Sequence, residues 1–209
     1  MGSDSGKDNE RPVHEVTITK DFWMQTTEVT QAQWKAVMGS NPATVKGDDR
    51  AVEGVNWEDC QEFSRRLDSM VGAQTGGRRF GLPTEAQWEC ACRAGSTGKW
   101  CCGDDPSQLG EYAWVEKNSS LEIPPVGQKK PNAWGLHDMH GYKMEWCEDW
   151  YGPYAATPQR DPTGPPSGYE RVVRGGWLGW PAESVRSSCR SSFDPRLRTR
   201  FHGLRMALR

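Results

Sequence analysis

Few residues in this chain of 209 have types and spacing that suggest chemistry. His137 and His140 flank Asp138 and Met139. That spacing would bring two imidazoles to one face of a helix, as a metal site needs. Gly135 and Gly141 bracket the segment and argue for a loop instead. We read the pair as loop histidines and expect no metal there. Cys60, Cys90, Cys92, Cys101, Cys102, Cys147 and Cys189 make an odd set that cannot pair completely within one chain. They form no tandem CxxC pattern and no clear disulfide framework. Most read as small buried hydrophobes. No cofactor is expected.

The elements that would position these residues come early. Thr30 with Gln33 forms a capping box for a short helix stopped by Gly39, and Thr84 with Gln87 does the same for a helix stopped by Gly95. Between them Asn56 caps a helix whose Trp57, Cys60, Phe63, Leu67 and Met70 form one apolar stripe. After Gly95 no helix signal recurs. Residues 12–19 and 78–83, Met144–Trp150, Arg171–Arg174, Val185–Arg190 and Leu204–Leu208 read as short strands among many turns. Strands near both ends suggest that the two termini share a sheet. Three short helices in the N-terminal half and short antiparallel strands make one loop-rich α+β domain over residues 12–209. Residues 1–11 read as a polar disordered tail or a cloning remnant.

Composition narrows the class. The mean hydropathy is −0.82, and no apolar run approaches the ~20 residues that span a bilayer. Eleven Trp in a chain with 23 Gly and 14 Pro suit half-buried frames and binding surfaces. Net charge is −2, yet residues 171–209 hold nine Arg against only Glu183 and Asp194. A basic segment can meet an anionic partner, but we read these Arg as bridges between strands and loops. No nucleic-acid partner is expected.

Several stretches together resemble the formylglycine-generating-enzyme (sulfatase-modifying factor) family, which uses a C-type lectin-like fold. They include VHEVTITKDFWMQTTEVTQAQWKAVMG, AVEGVNWEDCQEFSRRL, RFGLPTEAQWECACRAG, PVGQKKPNAWGLHDMHGYKMEWCEDWY, RVVRGGW and HGLRMAL. The resemblance implies an oxidase that holds copper with two cysteines shortly after the Gly-Gly pair. The corresponding positions are Trp180 and Val185, neither of which binds copper. Cys189 lies four residues too far along. The oxidase is therefore the disfavoured alternative, and no catalytic residue is assigned. The family's calcium motif, roughly GNxWEW, reads GYKMEW here, so Tyr142 replaces an oxygen ligand and only Glu145 offers a carboxylate. No other calcium site is located in EKNSSLEIPP, and no metal ligand is assigned.

The family's C-terminal loops are rich in Asn, whereas this chain has none after Asn132. Gly175, Gly176, Arg186, Arg190, Arg198, Gly203 and Arg205 keep the frame. Between them the loop chemistry is displaced, which resembles the variable proteins of diversity-generating retroelements, a class with treponemal surface lipoproteins. That resemblance implies a non-catalytic receptor with a ligand-binding region at 177–201. Trp177, Leu178, Gly179 and Trp180 open it. Ser184, Val185, Ser188, Cys189, Ser191, Ser192 and Phe193 continue it, and Leu197, Thr199, Arg200 and Phe201 close it. Aromatics give contact area at small entropy cost, and Ser and Thr give adaptable hydrogen bonds. The expected partner is a protein or glycan on a monomeric receptor. It would sit at the cell surface or be exported, with any lipid anchor upstream.

Overall fold

A computed structural model describes residues 1–120 and 122–209; Leu121, within the EKNSSLEIPP stretch, lies outside the described residues. The expected helix starts hold because capping is local. In α1 (Gln31–Met38) the Thr30 side chain accepts from the Gln33 N–H, and Gln33 returns a bond to the Thr30 N–H. Asn56 and Asp59 do the same for α2 (Trp57–Val71). Its stripe buries Cys60 and Phe63, but Met70 at the far end is 57% exposed, contrary to expectation. Thr84 and Gln87 cap α3 (Glu85–Arg93). This helix closes on Ala94 in the left-handed region, one residue before the expected Gly95. A fourth, single-turn helix, α4 (Pro106–Leu109), also breaks the expectation. Asp105 accepts from the Ser107 N–H and Pro106 supplies a fixed φ at its first turn.

The strands are short and fall in three groups. β1 (Val16–Thr17) pairs in parallel with β5 (Gln159–Arg160). β2 (Trp23–Met24) and β3 (Phe80–Gly81) flank β9 (Ala207–Leu208), antiparallel to both. The N-terminal region and the C-terminus do therefore share a sheet. The largest sheet has the order β7-β6-β4-β8, with β4 at Met144–Trp150, β6 at Arg171–Arg174, β7 at Arg190–Phe193 and β8 at His202–Gly203. Here β8 runs parallel to β4, so not every pairing is antiparallel. The strand expected at Val185–Arg190 begins only at Arg190. A 3-10 turn at Ala182–Ser184 occupies the preceding stretch.

Side chains alternate across the large sheet. Met144, Trp146 and Val173 join Trp34 and Phe63 in one core cluster with α1 and α2. Cys147 and Val172 join Trp88 of α3 in another. Residues 1–11 are not a loose tail. Glu10 is fully buried, and the Gly2 N–H donates to Glu89 Oε1 at 2.9 Å.

Candidate binding face

The C-terminal arginines set the frame first. Arg174 donates to Glu89 at 2.5 Å, and Arg190 grips Glu85 at 2.7 and 2.6 Å. Arg186 grips Glu10 at 2.6 and 2.8 Å, and Arg205 grips Glu145 at 2.8 and 3.0 Å. All four guanidiniums are buried. A buried charge persists only when paired, and a bidentate carboxylate matches the guanidinium fork. Outside the core, Arg198 pairs with Asp59 and Arg196 with Asp194. Much of the basic bias of residues 171–209 is thus neutralised inside the molecule or at its rim. Arg200 is exposed, with its guanidinium 5.4 Å from the Phe201 ring centroid.

Between the framing arginines the chain turns over the end of the large sheet. Gly176 takes φ 82°, and a side chain there would run into the Val185 methyl at 2.8 Å. This tight approach fixes the following loop. Trp180, Ser184, Cys189 and Ser191 line one small crevice of about 10 Å³ together with Met144, Val173, Arg174, Gly175 and Gly176. The Trp180 N–H donates to the Trp177 carbonyl. Ser191 and Phe193 fall on the same side of β7, and Phe193 lies 4.7 Å from the His202 ring. Thr199 Oγ1 sits 3.3 Å from His202 Nδ1. Phe201 meets Trp177 edge-on at 4.9 Å, and Lys143 lies 4.6 Å from the Trp177 ring. Lys143 also donates to the Arg200 carbonyl at 2.6 Å, which ties the last loop to β4.

The expected binding residues divide. Leu178 and Val185 are fully buried, Trp177 is 6% exposed and Ser188 3% exposed. These four side chains pack inward and cannot present a surface, which corrects their expected role. Leu178 joins Tyr142 and Ala51 in a core cluster, and Val185 joins Trp100 and Leu109 in another. Ser192 lies on the other side of β7 and donates to Glu170 at 2.6 Å. Gly179 supplies a turn at φ 82°. Trp180, Ser184, Cys189, Ser191, Phe193 and Thr199 are half-buried, and Leu197, Arg200 and Phe201 are exposed.

Two buried residues beneath this face were missed from the sequence. His202 is 1% exposed between Trp146 and Phe193, each ring 4.7 Å away. Burial, then the Lys143 charge, pushes its pKa down to about 4. Lys143 is fully buried and held by Glu53 at 2.6 Å. Nothing in the sequence marks either residue, because the Glu53 that holds Lys143 and the Trp146 that covers His202 come from distant stretches of chain.

The residues present do not fit the metals of the resembling family. Val185 is core and Trp180 carries no sulfur, so the two copper positions hold no thiolate. Cys189 Sγ instead lies 3.2 Å from the Glu183 carbonyl, and burial pushes its pKa up. At the calcium motif both Glu145 oxygens are engaged, by Arg205 and by the Trp88 indole at 2.7 Å. The Tyr142 hydroxyl donates to the Pro124 carbonyl. His137 and His140 lie in a loop and face different partners, the Lys129 and Val185 carbonyls, both at 2.8 Å. Among the described residues no group of three His, Cys, Asp or Glu is arranged to hold a metal ion, and no helix is long and apolar enough to cross a membrane.

Comparison with known proteins identifies the fold and the family. A model of the sulfatase-modifying factor enzyme 1-like domain matches residues 1–209. The solved structure of Treponema denticola variable protein 1 superposes with a TM-score of 0.92 at 30% identity, covering 100% of this chain and 90% of that one. The formylglycine-generating enzyme of Streptomyces coelicolor is 33% identical over 71% of this chain and 48% of its own length. The chaperone protein LppX of Paenibacillus barcinonensis is 28% identical over 79% of this chain and 71% of its own. The chain thus spans about half the length of the Streptomyces enzyme it matches.

Proposed function

Because the chain belongs to the sulfatase-modifying factor enzyme 1-like family, whose fold here carries no paired thiols at the copper positions, we propose that it is a non-catalytic binding protein. Its binding face is built from the exposed and half-buried side chains of residues 179–201. One observation carries the reading. Trp180, Ser184, Cys189 and Ser191 line one crevice, Ser191 shares a side of β7 with Phe193, Phe193 and Thr199 both contact His202, and Thr199 Oγ1 accepts from the Phe201 N–H. On this reading the open residues displaced from the family's pattern, Trp180, Ser184, Cys189, Ser191, Phe193, Thr199 and Phe201, form one face, while the paired arginines between them stay in the frame. The likeness to Treponema denticola variable protein 1 supports the same reading. On our reading the segment of this chain is rewritten by a diversity-generating retroelement, and the protein is exported to the cell surface. The partner is a protein or glycan surface, because a crevice of about 10 Å³ is too small to enclose a small molecule.

Two experiments test this. Sequencing the flanking DNA is expected to find a second, Asn-rich copy of the segment beside a reverse transcriptase gene. Incubation with copper and a cysteine-containing sulfatase peptide is expected to give no aldehyde product. Measured turnover would overturn the proposal.

A further inference from the structure

The N-terminal arm makes closer contact with the binding segment than a tether needs. Glu10 is fully buried, and both its oxygens accept from the Arg186 guanidinium. Arg186 Nη1 also donates to Ser188 Oγ at 2.9 Å. Burial alone would raise the Glu10 pKa, but the Arg186 and Ser188 bonds overrule it and hold it at about 2. The pair therefore stays charged throughout the neutral range. One residue back, the Asn9 side chain donates to the Arg190 carbonyl, and the Asn9 carbonyl accepts from Arg190, both at 3.2 Å. Gly6 closes over the pair, and a side chain there would collide with the Glu10 carboxylate and the Arg186 guanidinium. These contacts link positions 176 to 181 residues apart in sequence.

We propose that the arm at residues 2–11 is a strap that holds residues 183–190, which carry Ser184 and Cys189 of the binding face, in place, so that docking of the arm and shape of the face are coupled. This rests on the reading of that face as a binding site only for its consequence, not for the strap itself. The physical reason is that residues 183–189 lie outside any strand. Arg174 donates to the Ser187, Ser188 and Cys189 carbonyls, Lys99 and His140 hold Glu183, Val185 and Ser187, and the arm grips Arg186. By linkage, whatever favours the docked arm favours one conformation of the face, and a partner that grips the face holds the arm down. Cys189 reports on this, because its thiol lies 3.2 Å from the Glu183 carbonyl and 3.8 Å from Glu10 Oε1.

The test is site-resolved alkylation of the full chain by iodoacetamide, read by mass spectrometry, with no ligand required. Two variants lift the arm by different means: Glu10→Gln weakens the ion pair, and Gly6→Val wedges the arm away with the charges intact. Both are expected to raise the Cys189 labelling rate at least tenfold, while the buried Cys60 and Cys147 stay at the wild-type rate. An unchanged Cys189 rate in both variants would overturn the strap. So would a parallel rise at Cys60 and Cys147, since that means global loosening. Because the readout needs no partner, failure of the binding proposal would leave this result standing, and the reverse also holds.

Discussion

The buried arginines of the C-terminal region and the side chains exposed between them share one stretch of chain yet follow different rules. Arg174, Arg186, Arg190 and Arg205 are each fixed by a buried carboxylate from a distant element. Trp180, Ser191, Arg200 and Phe201 are partly or fully open, and no buried ion pair depends on them. The contrast teaches how one segment can hold a fold and also tolerate new chemistry. Pairing polar groups inside makes the frame unforgiving, whereas open positions between the paired residues, such as Ser191, Arg200 and Phe201, carry less of the fold's stability.

The sharpest break of this contrast lies at Arg205. Arg205→Met strands Glu145 as a buried charge and also removes the neighbour of Glu28, 3.6 Å away. We expect a loss of about 3–5 kcal/mol in urea unfolding. Trp146→Ala, within the core between β6 and His202, should cost a similar ~3–5 kcal/mol. Phe201→Ala, at the open end, should cost under about 1 kcal/mol in the same assay. A Phe201 loss equal to that of Trp146 would erase the distinction.

A pH series sharpens the comparison next. The folded-state pKa of His202 is lowered to about 4 from an ordinary 6.5, so the unfolded chain binds more protons between those values. Its contribution to stability is then present above about pH 6.5 and lost as pH falls toward 4. Asp149 works in the opposite sense. Burial and the Glu85 charge raise its pKa from 3.8 to about 7, so its contribution is present below 3.8 and lost as pH rises toward 7. His202→Gln should flatten the acid-side loss, and Asp149→Asn should flatten the loss toward neutrality. Melting curves at several pH values check both signs. The smallest expected effect is Arg200→Ala, within about 0.5 kcal/mol of wild type in urea unfolding, since it makes only an exposed ring contact.

Local signals were legible in the sequence and distant ones were not. The caps at Thr30, Asn56 and Thr84 act over three residues and appear as read. The buried roles of Leu178 and Val185 depend on Tyr142, Trp100 and Leu109 far away, so chain position alone placed them wrongly on the surface. The same limit hid the arm. A run of Gly, Ser and Asp looks like a tether until Arg186 closes on Glu10 across the fold. The paired arginines were readable because they fell on family positions, whereas the residues between them divide into core and open positions only in the fold.

The most direct test is a library with Trp180, Ser184, Ser191, Phe193, Thr199, Arg200 and Phe201 randomised together, sorted first for protease resistance and then for binding to a panel of folded proteins. Most members are expected to stay folded, and different members to bind different panel proteins. A library that mostly unfolds, or one whose folded members all bind alike, would contradict the division of frame from binding face.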